Sequence, residues 1–282
     1  MIVSRRARRV KPPHAGATED VGPHREDAEQ GALGDGWLIA VVGAVAGHAP
    51  GEITRRVLEL PSGGYLVQLA EARRTNAGAV PTGRVIDVHV TPEVPVYDHS
   101  PHESAYAGAA RAVAWPGIVE KAFAGVDQTW TVRRHAQWEH TWAAICAADA
   151  ANPRVANPRG GPAPSGYVRL NQETTALDHA EALTQLTGRP AMFRPFPARR
   201  GRTRRALRCQ LRAAQPVIVT ARSDVAAGEM LPYRLIVGQC YEVTAVRFCA
   251  IRLRNPWGFY HPAPIPLRRL SAVMAPGYVT LA

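Results

Sequence analysis

Lysine is almost missing from this chain. Only Lys11 and Lys121 occur, and arginine carries nearly all of the net charge of +11. A chain rich in arginine, alanine, glycine and proline and poor in lysine is what GC-biased coding writes, so the charge alone is no sign of a nucleic-acid partner. Cysteine is scarce as well. Cys146, Cys209, Cys240 and Cys249 form no CxxC pair and no Cys/His metal spacing. That excludes a zinc ribbon or a disulfide scaffold, and the expectation is buried thiols in a reduced, cytoplasmic protein. No apolar run approaches the ~20 residues of a membrane-spanning helix. The opening stretch, MIVSRRARRVKPPHAGATEDVGPHRED, is basic but has no apolar core, so it reads as a flexible arm over residues 1–28 and not as a secretory signal. There is no internal repeat and no EF-hand loop of the D-x-D-x-D-G kind, so neither a metal nor a cofactor is expected.

What is present is a core. Of the 282 residues, 46% are hydrophobic, enough for one large domain or two subdomains. Trp37 to Leu60 reads as two helical stretches broken near HAPGE. GGYLVQLAEARR and GRVIDVHVTPEVPVYD alternate apolar and polar residues around a Gly/Thr/Asn-rich link, the pattern of a β-hairpin. YAGAARAVAWPGIVEKAFAGV reads as helix with a break before Trp115-Pro116, and LDHAEALTQLTG as a short helix closed by Gly188. QPVIVTAR, YRLIVGQCYEVTAV and FCAIRLRNPWG are strand-like. The chain therefore divides into the arm 1–28, a helical part 29–188 holding the hairpin, and a β-rich part 189–282.

Two segments stand apart. Residues 127–166 begin with tryptophans at helical spacing, Trp138 and Trp142, and end in a Pro/Gly/Asn linker. Pro197 to Arg212, PARRGRTRRALRCQLR, is a basic run whose plain reading is a solvated loop entering a helix. Its sharper reading is a docking patch for an acidic partner or nucleic acid. No aromatics interleave with the arginines, which argues against nucleic acid.

The stretch EQGALGDGWLIAVVGAVAGHAP, Glu29 to Pro50, sets a loop before an apolar helix, as if to present a group at the helix N-terminus. QGALGDGWLIA resembles the active-site loop of calpain-type cysteine proteases, Q-G-x-L-G-D-C-W. In the same order, WPGIVEKAFA resembles the family's W-P-x-L-x-E-K-A-Y-A helix. SGYVRLNQ followed by AEALTQLTG resembles G-Y-x-x-L and E-A-L-x-x-L-T-G. RLRNPWGFYHPAPI resembles the R-N-P-W-G segment with the H-P-x-P continuation of bacterial members. The resemblance runs from about Gln30 to the C-terminus and implies an α+β, papain-like, two-lobed calpain core with an interlobe cleft. Against it, residues 127–166 are an insertion.

The family's chemistry needs a thiolate whose pKa is lowered by the helix dipole and a histidine, and a histidine that moves the proton. The position matching the nucleophile is Gly36. The position matching the histidine, in GQCYEV, is Gln239, an amide that cannot act as a base near neutral pH. Asn255, matching the residue that orients the histidine, remains. So do Trp257, which would shield that pair, and Gln30, the oxyanion donor. Cys240 adjoins Gln239, but neighbouring strand residues point to opposite faces, so a cleft-facing Gln239 sends Cys240 into the core. His261 lies in the H-P-x-P continuation and reads as structural. Removing a nucleophile and its base together costs on the order of 10⁶ in rate in a triad enzyme.

The expectation is a pseudoprotease that binds a peptide or protein through the relic cleft, with no calcium dependence and no membrane or nucleic-acid partner. An enzyme with altered chemistry in the same cleft, and an arginine-rich anion or nucleic-acid binder, are the alternatives. Trp130, Trp138 and Trp142 are candidate partner contacts, because tryptophan is enriched at interface hot spots.

Overall fold

The computed structural model of the chain describes residues 3–9, 22–61, 63–97, 100–104, 107–108, 113–153, 158–172, 175–225 and 231–282. In chain order the elements are β1 (Val3–Arg9), α1 (Gly36–His48), α2 (Pro50–Arg56), β2 (Val57–Glu59), β3 (Tyr65–Thr75), β4 (Gly78–Val90), β5 (Glu93–Tyr97), β6 (Ser100–Ser104), α3 (Trp115–Gly125), α4 (Val132–Ala151), α5 (Gly166–Leu170), α6 (Ala176–Thr187), β7 (Ala191–Pro195), α7 (Arg200–Arg212), β8 (Val217–Thr220), β9 (Cys240–Arg247), β10 (Ala250–Arg254), β11 (Ile265–Pro266), α8 (Leu270–Val273) and β12 (Gly277–Leu281). The class is α+β. Nine strands form one antiparallel sheet in the order β11-β10-β9-β8-β12-β7-β4-β3-β2, and β1, β5 and β6 form a second, three-stranded sheet.

Two apolar cores lie along the large sheet. One gathers α1, α3, α6, β3 and β4 around Leu38, Ile39, Leu69, Ile118 and Leu183. The other gathers α7, β9, β10 and α8 around Leu207, Tyr241, Ile251 and Leu270. The sheet does not stop between them. β12, last in the chain, pairs with β7 on one side and β8 on the other, and β7 also pairs with β4. The arm expected over residues 1–28 is placed only in part. Val3–Arg9 is a strand antiparallel to Glu93–Tyr97, Arg25–Asp27 is a 3-10 turn, and residues 10–21 lie outside the described residues.

Local sequence explains the elements that frame the site. α1 is apolar all round and is buried from Leu38 to Ala46, so it is a central helix and not an amphipathic surface one. It ends at Ala49, whose φ of −146° and ψ of 59° fit a residue before proline, and Pro50 opens α2. α6 starts with a capping box between Thr175 and Asp178 and ends at Gly188 with φ of 66°. The hairpin turns at Asn76-Ala77, earlier than the Gly83 region, and β4 runs from Gly78 to Val90 with a bulge at Thr82–Arg84, where the register with β3 shifts. The basic run is helical from Arg200 onward, with Thr203 and Leu207 buried beneath it.

Candidate functional site

Three segments converge on the start of α1. The amides of Leu38 and Ile39 donate to the carbonyl of Asp35 at 2.8 and 3.2 Å, which makes Gly36 the first residue of the helix. The loop before it is pinned from both sides. Gln30 N donates to Pro256 O at 2.8 Å, and Gly34 N donates to Asn171 Oδ1 at 2.9 Å. Gln239 arrives at the head of β9, held by Ala221 N donating to its carbonyl at 2.9 Å. A β-carbon on Gly36 would lie 2.6 Å from Gln30 Oε1, 2.9 Å from Gln239 Oε1 and 3.2 Å from Gln239 Nε2. Two side-chain amides therefore fill the space in which a side chain at position 36 would stand.

Neither amide is poised for chemistry. Gln30 turns its Nε2 to Leu33 O and presents its oxygen, not a donor, toward Gly36. That oxygen is buried without a hydrogen-bond partner. Gln239 Oε1 accepts from Cys240 N at 3.1 Å. Asn255 follows β10, which is paired with β9, so it and Gln239 belong to one hairpin rather than to facing strands. Both of its amide atoms bond within its own loop: Nδ2 donates to Tyr260 O at 3.2 Å and Oδ1 accepts from Trp257 N at 3.1 Å. Its backbone N–H donates to His261 Nδ1 at 3.2 Å, so His261 braces the same loop. With no imidazole at position 239 to orient, Asn255 shapes the loop. Trp257 is half-buried and packs on Phe259 with ring centroids 6.0 Å apart.

Cys240 turns inward, as strand alternation from Gln239 dictates. Its Sγ lies 3.2 Å from His179 Nε2 and 3.5 Å from Thr220 Oγ1. Burial pushes the thiol up to about 12 and His179 down to about 4, so both are neutral near pH 7 and no thiolate–imidazolium pair forms. Trp37 stacks on His179 at 5.9 Å and donates its indole N–H to Leu170 O at 2.9 Å.

Buried acids lie close to the start of α1. Asp35 and Glu120 are both fully buried. Ala107 N donates to Glu120 Oε2 at 3.0 Å. Burial raises Asp35 to about 6, and burial together with the facing Asp35 charge raises Glu120 well above the usual carboxylate range, so the pair retains a proton between them. Further along, Glu242 of β9 meets Arg25 at 3.1 Å and His48 at 3.6 Å. Arg25 donates to Gly47 O at 3.0 Å, and a β-carbon on Gly47 would push its guanidinium aside. Burial raises Glu242 to about 7 and lowers His48 to about 4.

A groove of about 1070 Å³ reaches this centre only through Ala221, which bonds to Gln239; Gln30, Gly36, Gln239, Asn255 and Trp257 do not line it. Its near wall is Ala221, Arg222 and Ser223, one hydrogen bond from Gln239, and its floor includes His179 and Thr220. The partly exposed Phe193 and Phe196 and the exposed Pro276 give it an apolar side.

The three insertion tryptophans do not join the site. Trp142 is buried and donates to Gly161 O at 3.1 Å, and the half-buried Trp138 donates to Pro164 O at 2.8 Å. Trp130 lies between the guanidiniums of Arg134 and Arg169, at 5.0 and 5.1 Å. Trp138 and Trp142 pack on the insertion's own return segment, whose carbonyls take their indole N–H groups. Of the three candidate partner contacts, Trp142 is buried, while Trp130 and Trp138 are half-buried.

Asn171, Glu120 and His179 were not singled out from sequence. For Glu120 and His179 a signal exists: each is an ionisable residue on the buried face of an otherwise apolar helix. No family model matches the chain, and no curated protein is detectably similar to it.

Proposed function

We propose that the chain is a catalytically silent protein of the calpain-like, papain-fold kind, which binds a peptide or protein segment in the cleft that a protease would use for substrate. The observation that carries this reading is the convergence of Gln30 and Gln239 on the α-carbon of Gly36. Two segments far apart in sequence meet at the one point where a nucleophile and a base would face each other, and both positions hold groups that cannot ionise near neutral pH. The two apolar cores along the sheet support a two-lobed architecture. The groove that reaches Gln239 through Ala221 supplies room for a ligand. Altered enzymatic chemistry is less well supported, because the carboxyl pair nearest the centre, Asp35 and Glu120, is sealed from solvent.

Two measurements test the reading. Casein and fluorogenic peptides are expected to remain intact with the purified protein, with or without calcium. Cleavage blocked by a thiol-directed inhibitor overturns the silence. Peptides selected from a random display library are expected to bind the wild type and to lose affinity for Ser223→Trp. This exposed residue lines the groove, so the indole fills the groove without touching a core. A library that yields no binder sinks the cleft reading.

A further inference from the structure

The outer face of α7 has no role in the cleft reading as it stands. Arg199, Arg200, Arg202, Arg204, Arg205, Arg208 and Arg212 are all exposed. None of them takes part in an ion pair among the described residues. Arg200, Arg204, Arg208 and Arg212 recur every four residues and so form one row, which at 1.5 Å per residue is about 18 Å long. Thr203 and Leu207 are the buried side of the same helix, with Leu207 in the second core and Thr203 Oγ1 bonded to Pro197 O at 2.8 Å. The row therefore winds from the groove side at Arg200, on nearly the same face as Leu207, to the outer face at Arg212. Two more exposed arginines, Arg268 and Arg269, lie on the 3-10 turn that packs against α7. Arg200 and Arg268 are also wall residues of the groove.

An unopposed row of like charge on a rigid helix is unfavourable for the isolated protein and becomes favourable only beside an anion. Arginine suits carboxylates and phosphates, because its planar fork bonds them bidentately. The groove decides between these. It continues from the arginine row to the partly exposed Phe193 and Phe196 and the exposed Pro276, which accept aliphatic side chains. A nucleic-acid strand has none to offer, and α7 carries no aromatic ring on which a base would stack. A bilayer would need apolar side chains projecting from α7, and its leucines face the core or its edge.

We propose that the partner segment is an acidic–apolar peptide, whose carboxylates pair with the α7 arginine row while its apolar side chains enter the adjoining groove. This rests on the cleft reading and names the chemistry of its ligand. Encounter is steered by the arginines and falls with ionic strength, and register is set by the groove.

The test is fluorescence anisotropy on the full chain with labelled peptides of equal length. One alternates aspartate and leucine, one alternates aspartate and serine, and one alternates lysine and leucine. Oligouridylate and phosphatidylserine vesicles serve as competitors. The Asp/Leu peptide is expected to bind best, with affinity that drops as salt rises. Charge reversal at three exposed positions, Arg200→Glu with Arg204→Glu and Arg208→Glu, is expected to weaken it about tenfold or more. Ser271→Trp, an exposed change on the groove wall, is expected to weaken the Asp/Leu peptide and leave the Asp/Ser peptide unchanged. Circular dichroism confirms that each variant is folded. Equal binding of the Lys/Leu peptide, or indifference to charge reversal, sinks the acidic assignment and leaves the cleft reading standing. Displacement by RNA or vesicles at lower concentration than by unlabelled Asp/Leu peptide also overturns it. If no peptide of any composition binds, both readings fall.

Discussion

The side-chain oxygen of Gln239 stands 2.9 Å from the point that a β-carbon on Gly36 would occupy, and that of Gln30 stands 2.6 Å from it. Glycine at position 36 leaves room for the ends of two side-chain amides beside the helix N-terminus. A side chain introduced at position 36 has to displace the ends of both glutamines.

That contact predicts a measurable coupling. Gly36→Ala gains helix propensity of up to about 1 kcal/mol but meets overpacking of about 1–3 kcal/mol, so a net loss of roughly 1 kcal/mol is expected in urea titration. Gln239→Ala removes one of the two obstructing amides, so Gly36→Ala should cost less in that background, by about 0.5 kcal/mol or more. Strict additivity in the double-mutant cycle would mean that the two residues do not touch.

The Asp35–Glu120 pair predicts how stability changes with pH. Both carboxyls are raised in the folded state, Asp35 from 3.8 to about 6 and Glu120 above 4.5. The native state then holds protons that the unfolded chain has already released. The stability they contribute is complete below about pH 4 and is lost as pH rises through about 6 and above. Glu120→Gln keeps an acceptor for Ala107 N and gives Asp35 a permanent donor. Its melting temperature should exceed that of the wild type at pH 8, with the gap shrinking toward pH 5. Glu242, raised to about 7, adds a slope of the same sign that both proteins share. His48 and His179, both lowered to about 4, act oppositely, weakening the fold as pH falls from 6.5 toward 4. Parallel melting curves for wild type and Glu120→Gln from pH 5 to 8 would rule out the buried pair.

How much of this was legible in the sequence depended on periodicity and order. The apolar run after Gly36, the alternation of β3 and β4 and the capping signal at Gly188 each fix an element locally, and all three elements are in the structure. The meeting of Gln30, Gly36 and Gln239 could be expected only through a resemblance of motifs in order, because no local rule brings position 239 to position 36. What stayed hidden is tertiary. The Asp35–Glu120 contact joins a loop to a helix more than eighty residues later. The path of β12 between β7 and β8 is set by pairing, not by propensity. The inward turn of the insertion tryptophans depends on carbonyls at Gly161 and Pro164 that no periodicity indicates.

Thiol reactivity gives an independent check on Cys240. Cys209 and Cys249 are exposed, Cys146 is intermediate and Cys240 is buried. With Cys240 pushed up to about 12, a disulfide reagent at pH 8 should modify Cys209 and Cys249 rapidly, and Cys240 only on unfolding. Peptide mapping after brief labelling reads this directly. Fast modification of Cys240 in the native protein would reopen the case for it as a nucleophile beside His179.

The insertion offers the last prediction. α4 has 20 residues, yet among the described residues it makes no extensive contact with another helix or strand. A lone helix of that length is marginal in water, so its stability has to come from packing on the return segment. Trp138 and Trp142, with ring centroids 6.1 Å apart, provide that packing, and Asp149 clamps Arg159 at 2.6 Å. The base is secured separately: Asp127 accepts from Gly166 N at 2.6 Å and from Arg169 at 3.2 Å, and Arg134 reaches Glu181 at 2.7 Å. Trp142→Ala, at about 3–5 kcal/mol for a buried tryptophan, exceeds what one helix and a loop can absorb. The insertion should melt locally, exposing Arg133 and Arg134 to trypsin, while the main thermal transition stays in place. Replacing Thr131–Pro164 with a short Gly/Ser link should likewise leave a cooperative fold, since Asp127 and Arg169 remain and Glu181 keeps Arg74. Because the indoles face inward, this shortened chain should bind the Asp/Leu peptide as tightly as the full one. A clear drop in affinity, with the fold intact by circular dichroism, would restore Trp138 and Trp142 to the interface.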